Sequence, residues 1–298
     1  MTPYRLQRFP PHSDSISYSL LQERDLSFDS TIDGEIPSEP LSSDPDSIKL
    51  LSVIVPAFDE EKRLGATLKR MLAYFDERKT PFEILVVDDG SRDGTAALVE
   101  TISGCRPEVK LLSYKPNRGK GYAVRYGMMR ACGDRILFSD ADLATPIEEI
   151  ENLSHKLDEG YQIAIGSRDV AGSQLIKHQS WFREQGGKTF NKMVQALAVP
   201  GIHDTQCGFK LFTKEAALSI FSRCQVDHFA FDVEVLYLAI NLFGFRVVEV
   251  PVRWAHQEGS KVVFLRDAFR MAKTLFKIRM TNYGTPESSS ASIKLHPR

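Results

Sequence analysis

Phe138-Ser139-Asp140-Ala141-Asp142-Leu143 puts two carboxylates one residue apart at the end of a short apolar run, Ile136-Leu137-Phe138. A run that short and apolar reads as a strand buried on both faces, the kind found in parallel sheets. Alternate side chains of an extended segment point the same way, so Asp140 and Asp142 are expected to converge just past the strand end. Hard divalent cations take oxygen ligands, and Mg²⁺ is commonly shared between one or two carboxylates and substrate phosphates. In open α/β sheets, ligands gather outside the carboxyl ends of the strands.

The same grammar repeats upstream. Leu50 to Pro56 is a β-branched run followed by Ala57-Phe58-Asp59-Glu60-Glu61 and then apolar residues at helical spacing from Leu64 to Phe75. Ile84-Leu85-Val86-Val87 stops at Asp88-Asp89-Gly90-Ser91, with Ser91 as a helix cap. Val109 to Leu112 leads to Asn117-Arg118-Gly119-Lys120-Gly121 and another helix. Strand, polar loop, helix, repeated four times, predicts an α/β fold: a mostly parallel sheet flanked by helices, with its loops collected along one edge. Beyond it, Ile163 to Ser167 is a fifth strand ending at Arg168, and Val247 to Val252 an edge strand because of Pro251. Helices are expected over Pro146–Leu157, Trp181–Val199, Lys214–Phe221, Asp232–Leu242 and Val262–Met280.

Residues 1–49 are serine- and proline-rich with little apolar periodicity and read as a disordered arm; 284–298 read as a disordered tail, leaving 50–283 as the folded domain. In 298 residues, a hydrophobic share of 42% beside 26% charged is that of an ordinary globular chain. A formal net charge of −1 implies no nucleic-acid partner. The four cysteines lack metal-ligand spacing, which points to reduced thiols in a cytosolic setting. No apolar run reaches the roughly 18–20 residues needed to span a bilayer. The Val262–Met280 stretch instead sets Arg266, Arg270, Lys273 and Lys277 on one stripe beside Leu265, Phe269 and Phe276, the pattern either of a C-terminal helix packed on the domain with its basic stripe in water or of a helix lying on an anionic membrane surface.

Neither G-x-x-x-x-G-K-[ST] nor G-x-G-x-x-G occurs around Gly119 and Gly121, so phosphate chemistry must come from carboxylates, a metal and single cations. Taken together, Val53 to Glu61, Val86 to Ser91, Asn117 to Gly121 and Asp140-Ala141-Asp142 resemble the GT-A family 2 inverting glycosyltransferases. Gly166-Ser167-Arg168, Asp204 to Phe212, Phe231 to Glu234 and Glu258 to Lys261 narrow the resemblance to the dolichyl-phosphate glucosyltransferases.

That resemblance implies a GT-A (Rossmann-like) fold with acceptor-side helices at the C-terminal end. It implies a UDP-glucose donor, Mg²⁺ or Mn²⁺ on Asp140 and Asp142, and a polyprenyl (dolichyl) phosphate acceptor. Pro56, Ala57, Phe58, Glu60, Asp88, Asp89, Lys120, Asp140 and Ala141 are the implied nucleotide-sugar contacts. Arg168, Arg183, Lys210 and Gln206 are the implied acceptor-phosphate set, and Asp140, Asp142, Arg168 and Lys210 the catalytic set. The expected location is cytoplasmic, at the cytosolic face of a membrane (the endoplasmic reticulum if eukaryotic). Two other classes stay open: a soluble transferase acting on a small hydroxyl acceptor, for which Asp204 or Asp232 would serve as base, and a nucleotide-sugar-binding protein.

Overall fold

The computed structural model describes residues 50–177, 194–195, 198–255 and 273–285. Within them β1 (Leu51–Ala57), β2 (Phe82–Asp88), β3 (Val109–Ser113), β4 (Arg135–Ser139) and β5 (Ile163–Ser167) fall where the apolar runs predict strands. Helices α1 (Glu61–Arg78), α2 (Thr95–Cys105), α3 (Lys120–Met128) and α4 (Ile150–Asp158) connect them. Parallel pairing of β3-β2-β1-β4 follows.

The alternation of side chains along β1 and β2 divides the interior in two. Val53, Val55, Ile84 and Val86 pack with α1 and α4, whereas Ile54, Leu85 and Val87 pack with α3 on the other face. Pro56 lies inside a central strand, which a missing N–H ordinarily forbids. The β1–β4 ladder ends at Ile54↔Phe138, so Pro56 faces only β2, opposite Val87.

The second half departs from a simple repeat. β7 (Phe209–Thr213) inserts antiparallel between β4 and β5, and β8 (Val247–Pro251) pairs parallel with β5 at the sheet edge, as its proline predicts. A separate two-stranded sheet joins β6 (Gln174–Lys177) to β9 (Arg253–Ala255). The predicted helix over Pro146–Leu157 begins instead as a 3₁₀ turn, Ile147–Glu149. Its acids serve ion pairs more than a helix dipole: Glu148 meets Arg70 and Glu151 meets Arg78, both on α1, and Glu149 meets Arg253. Helices α5 (Lys214–Phe221) and α6 (Phe231–Tyr237) match the expectation, with α6 running on as a π-helical turn over Leu238–Leu242.

Residues 273–280 are helical, and Leu275 and Ile278 join the same core cluster as α3 and α6. Phe276, expected on the apolar face, is 68% exposed beside exposed Lys273, Lys277 and Met280. Arg266, Arg270, Arg183, the Glu258–Lys261 motif and most of the Trp181–Val199 segment lie outside the described residues. No helix among the described residues is long and apolar enough to cross a membrane.

Candidate active site

The strand-end loops meet around Asp140 and Asp142. The backbone N–H of Asp140 donates to Gly208 O (3.0 Å), and the absence of a side chain at Gly208 is what lets the Asp140 carboxylate lie against it. Ala141 O accepts from Thr67 Oγ1 on α1 (2.7 Å), which anchors the turn between the two acids. Leu143 adopts φ +46°, and Asp142 Oδ1 accepts the Ala144 N–H (3.1 Å). Ser139, Asp140, Leu143, Ala144, Thr145, Gly208 and Trp254 line a small cleft open to solvent at this point.

Asp140 and Asp142 differ in their surroundings. Asp140 Oδ1 takes the Lys120 ammonium at 2.7 Å, with both side chains partly exposed. Burial acts against the Lys120 charge, but Asp140, Asp232 and Asp142 together raise its pKa above the ordinary value. Asp142 is raised by burial and then by the charge of Asp140. Among the described residues its Oδ2 has no hydrogen-bond partner. Two neighbouring carboxylates, one desolvated and pushed toward its neutral form, are a donor set that a divalent cation relieves. Among the described residues no third His, Cys, Asp or Glu completes a cluster, consistent with a site finished by ligand oxygens. Asp140 and Asp142 thus fit the metal that their spacing suggests.

Asp88 and Asp89 arrive at the same edge but are spent on the protein. Asp88 is buried; its Oδ1 accepts Ser91 N–H (3.0 Å) and its Oδ2 accepts Ser113 Oγ–H (3.0 Å). Asp89 accepts from Arg118 N (2.7 Å), Gly119 N (2.8 Å) and Asn117 Nδ2 (2.8 Å), fixing the loop that carries Lys120. Glu60 donates its N–H to Thr95 Oγ1 (2.8 Å) and pairs with Arg63. Arg63 is raised first by that Glu60 hydrogen bond and also feels Asp142 and Asp140. Pro56, Ala57 and Phe58 form the rim where β1 ends, with Ala57 O accepting Asp89 N–H (2.8 Å).

On the other side of β4 the cations are paired internally. Arg168 makes a fork to Asp204, Nε to Oδ2 at 2.7 Å and Nη2 to Oδ1 at 2.8 Å, and its guanidinium lies 5.3 Å from the Trp254 ring centroid. The Arg168 charge, with its hydrogen bonds, holds Asp204 below the usual carboxylate range despite complete burial. Lys210 is 1% exposed; its Nζ donates to Asp232 Oδ1 (2.5 Å) and Cys207 O (2.6 Å). Burial pushes Asp232 up against the pull of Lys210 and Lys120. Gln206 donates its backbone N–H to Asp204 Oδ1 (3.3 Å).

Glu249 went unseen in the sequence. On β8 and with its side chain 8% exposed, it accepts Ser167 Oγ–H (2.7 Å) and the N–H groups of His203 (2.8 Å) and Asp204 (2.9 Å), holding the carboxylate that holds Arg168. Within an apparent edge strand, Val-Val-Glu-Val-Pro carried no sign of this. An acid among β-branched residues is the only local signal.

The glycosyl transferase family 2 model matches residues 52–221. Human dolichyl-phosphate beta-glucosyltransferase is 40% identical over 247 residues, covering 78% of this chain and 75% of its own. The Drosophila melanogaster enzyme of that name is 41% identical over 254 residues (80% and 77%), and the Saccharomyces cerevisiae one 31% over 291 (91% and 85%). Among solved structures, Mycobacterium tuberculosis glucosyl-3-phosphoglycerate synthase in complex with Mn²⁺, UDP-glucose and phosphoglyceric acid shares the fold, with TM-score 0.56, 18% identity, and coverage of 80% and 81%. With the paired strand-end acids and the sheet that presents them, these relationships assign the chain to glycosyl transferase family 2, among the dolichyl-phosphate beta-glucosyltransferases, a group of hexosyltransferases.

Proposed function

We propose that this chain transfers glucose from UDP-glucose to a polyprenyl (dolichyl) phosphate with inversion, in a reaction that depends on Mg²⁺ or Mn²⁺. The observation that carries the reading is the unequal pair Asp140 and Asp142: one acid bound to Lys120, the other desolvated beside it at the cleft. A cation held by these two acids would supply Lewis-acid stabilisation of the departing diphosphate. Lys120, 24% exposed next to Asp140, adds a positive charge on the same side. The loop built on Asp88 and Asp89 orients the nucleotide by fixing Asn117 to Gly119 before it arrives.

The acceptor is a phosphate monoester, already an anion at neutral pH. One of its oxygens attacks the anomeric carbon as the bond to the diphosphate breaks and the electron pair leaves with UDP. Such an acceptor needs no general base. Asp204 and Asp232, either of which a hydroxyl acceptor would need as its base, are instead bound by Arg168 and Lys210, which favours phosphate over alcohol. Asp204 takes the Nε–Nη2 edge of Arg168 and keeps the guanidinium aimed, which leaves the Nη1–Nη2 edge to meet a phosphate. Arg183 and Gln206 complete the proposed acceptor contacts, and Lys210, paired with Asp232 inside the protein, supports them without touching the acceptor.

The helix over 273–280 supports action at a membrane surface. Leu275 and Ile278 are buried, while Lys273, Lys277, Phe276 and Met280 face outward, apolar and basic together. Residues 50–283 are the proposed catalytic domain, and the proposed location is the cytosolic face of a membrane. Mass spectrometry of products from UDP-glucose, UDP-galactose and GDP-mannose, each with a short polyprenyl phosphate or a water-soluble alcohol, tests the assignment. Glucosyl polyprenyl phosphate from UDP-glucose alone, abolished by EDTA, is the expected result. Transfer to alcohols, or full turnover in EDTA, overturns it.

A further inference from the structure

Glu234 is a buried acid that the proposed chemistry does not use. It is fully enclosed and has no cationic partner among the described residues. Removing a carboxylate from water is costly unless hydrogen bonds replace its hydration. Here they come from one short loop and from Tyr283: both oxygens accept Gln225 N–H (3.0 Å each), Oε2 accepts Val226 N–H (2.8 Å), and Oε1 accepts the Tyr283 hydroxyl (2.8 Å). The acid therefore pins the start of the 225–228 loop, at Gln225 and Val226, from beneath.

The upper side of that loop is seated on the residues flanking Lys120. Asp227 O accepts Tyr122 N–H (3.1 Å), closing the first turn of α3. Arg125 of α3 donates to Cys224 O (2.7 Å) and to Asp227 Oδ1 (2.8 Å). Gly119, at φ +106°, lies so close that a Cβ would sit 2.5 Å from both Asp227 O and His228 Nδ1. A Cβ on Gly121 would collide with Val226 O. The two glycines of Gly119-Lys120-Gly121 are thus explained by contact with the loop rather than by a phosphate cradle. Any shift of the loop is passed by hard backbone contact to the residues on either side of Lys120.

We propose that Glu234 is a positioning residue: by holding the 225–228 loop against Gly119 and Gly121, it sets the Lys120 ammonium beside Asp140 at the nucleotide side of the cleft. The inference rests on the reading of Lys120 as a cation on the donor side. A double-mutant cycle on UDP affinity, measured by calorimetry with Mg²⁺ well below the unfolding temperature, tests both. Lys120→Met is expected to weaken UDP about 10-fold or more, and Glu234→Gln about 3- to 10-fold. The double variant should bind no more weakly than Lys120→Met, because Glu234 acts through the lysine. A purely structural acid would lower affinity by the same factor in either background, and that result overturns the inference while leaving the proposed function intact. Unchanged UDP affinity in Lys120→Met overturns the donor-side assignment of Lys120 and the inference with it. Should Glu234→Gln fail to fold, Asp227→Asn loosens the same loop from its other side and completes the cycle with the same expected outcomes.

Discussion

The ends of β1, β2 and β4 and the region around β5, β7 and β8 treat charge in opposite ways. On the first side, Asp140 lines a cleft with Asp142 beside it, and the described residues offset the pair with Lys120, the more distant Arg63 and a backbone N–H. On the second, each cation is matched inside the protein: Arg168 to Asp204, Lys210 to Asp232. An under-compensated acidic pair is an arrangement that attracts a cation and, through it, a diphosphate. Matched pairs attract little at a distance but hold their members in fixed geometry. The donor side is therefore built for charge, and the proposed acceptor side for shape.

The sharpest way to break this contrast is Asp142→Ala. Turnover should fall by about 10³-fold or more, while thermal stability is unchanged or raised, because burial beside Asp140 makes the charged Asp142 a cost to the folded state at neutral pH. UDP release and a melting curve on one preparation check it. Retained turnover would make the acidic pair an ordinary loop.

Lys210→Met tests the opposite side. It leaves Asp232 buried without its partner, and breaking such a pair costs about 3–5 kcal/mol of stability, readable by urea unfolding. A folded, fully stable but inactive variant would instead place Lys210 against substrate and erase the contrast. Arg168→Lys keeps the charge and removes the fork. Losing one charge-assisted contact costs roughly 1.5–3 kcal/mol, an acceptor KM raised about 10- to 150-fold with UDP affinity unchanged. An equal loss of UDP affinity would move Arg168 to the donor side.

The Arg168–Asp204 pair also carries a pH signature. The folded pKa of Asp204 lies below its unfolded value, so its stabilisation is present above that unfolded value, about 3.9, and is lost as pH falls through the folded one. Asp204→Asn should lower the melting temperature at pH 7, with the gap to the parent chain closing as the pH falls below about 4. A gap independent of pH would mean that shape rather than charge makes the pair. The smallest effect is expected at the surface. Reversing Lys273 and Lys277 should weaken binding to anionic vesicles at low salt, each basic residue contributing about 1 kcal/mol. Binding that ignores charge reversal, or that is equal on neutral vesicles, would leave the helix as packing alone.

Most of the first half was legible without coordinates because its signals are local. A buried strand followed by a polar turn is written in four or five adjacent residues, and β1 to β5 fall on those runs. Asp140 and Asp142 were found for the same reason. Lys210 and Arg168 were recognisable as cations, but their partners lie 22 and 36 residues away along the chain. Glu249, and the role of Glu234 within the Phe231–Glu234 motif, escaped notice because an acid within an apolar segment looks the same whether it is a surface residue or a buried clamp.

Periodicity determined by itself that the chain is an α/β protein whose loops share one edge, since strand and helix repeats depend on neighbouring residues alone. Which charges are neutralised and which remain available at the cleft was decided only when β7 entered antiparallel between β4 and β5. That insertion brings Lys210 opposite Phe138 and within reach of Asp232, and puts Gly208 against Asp140. Pairing of charges is a matter of distance in space, falling off over a few ångströms, and distances between remote residues do not exist until the sheet has formed.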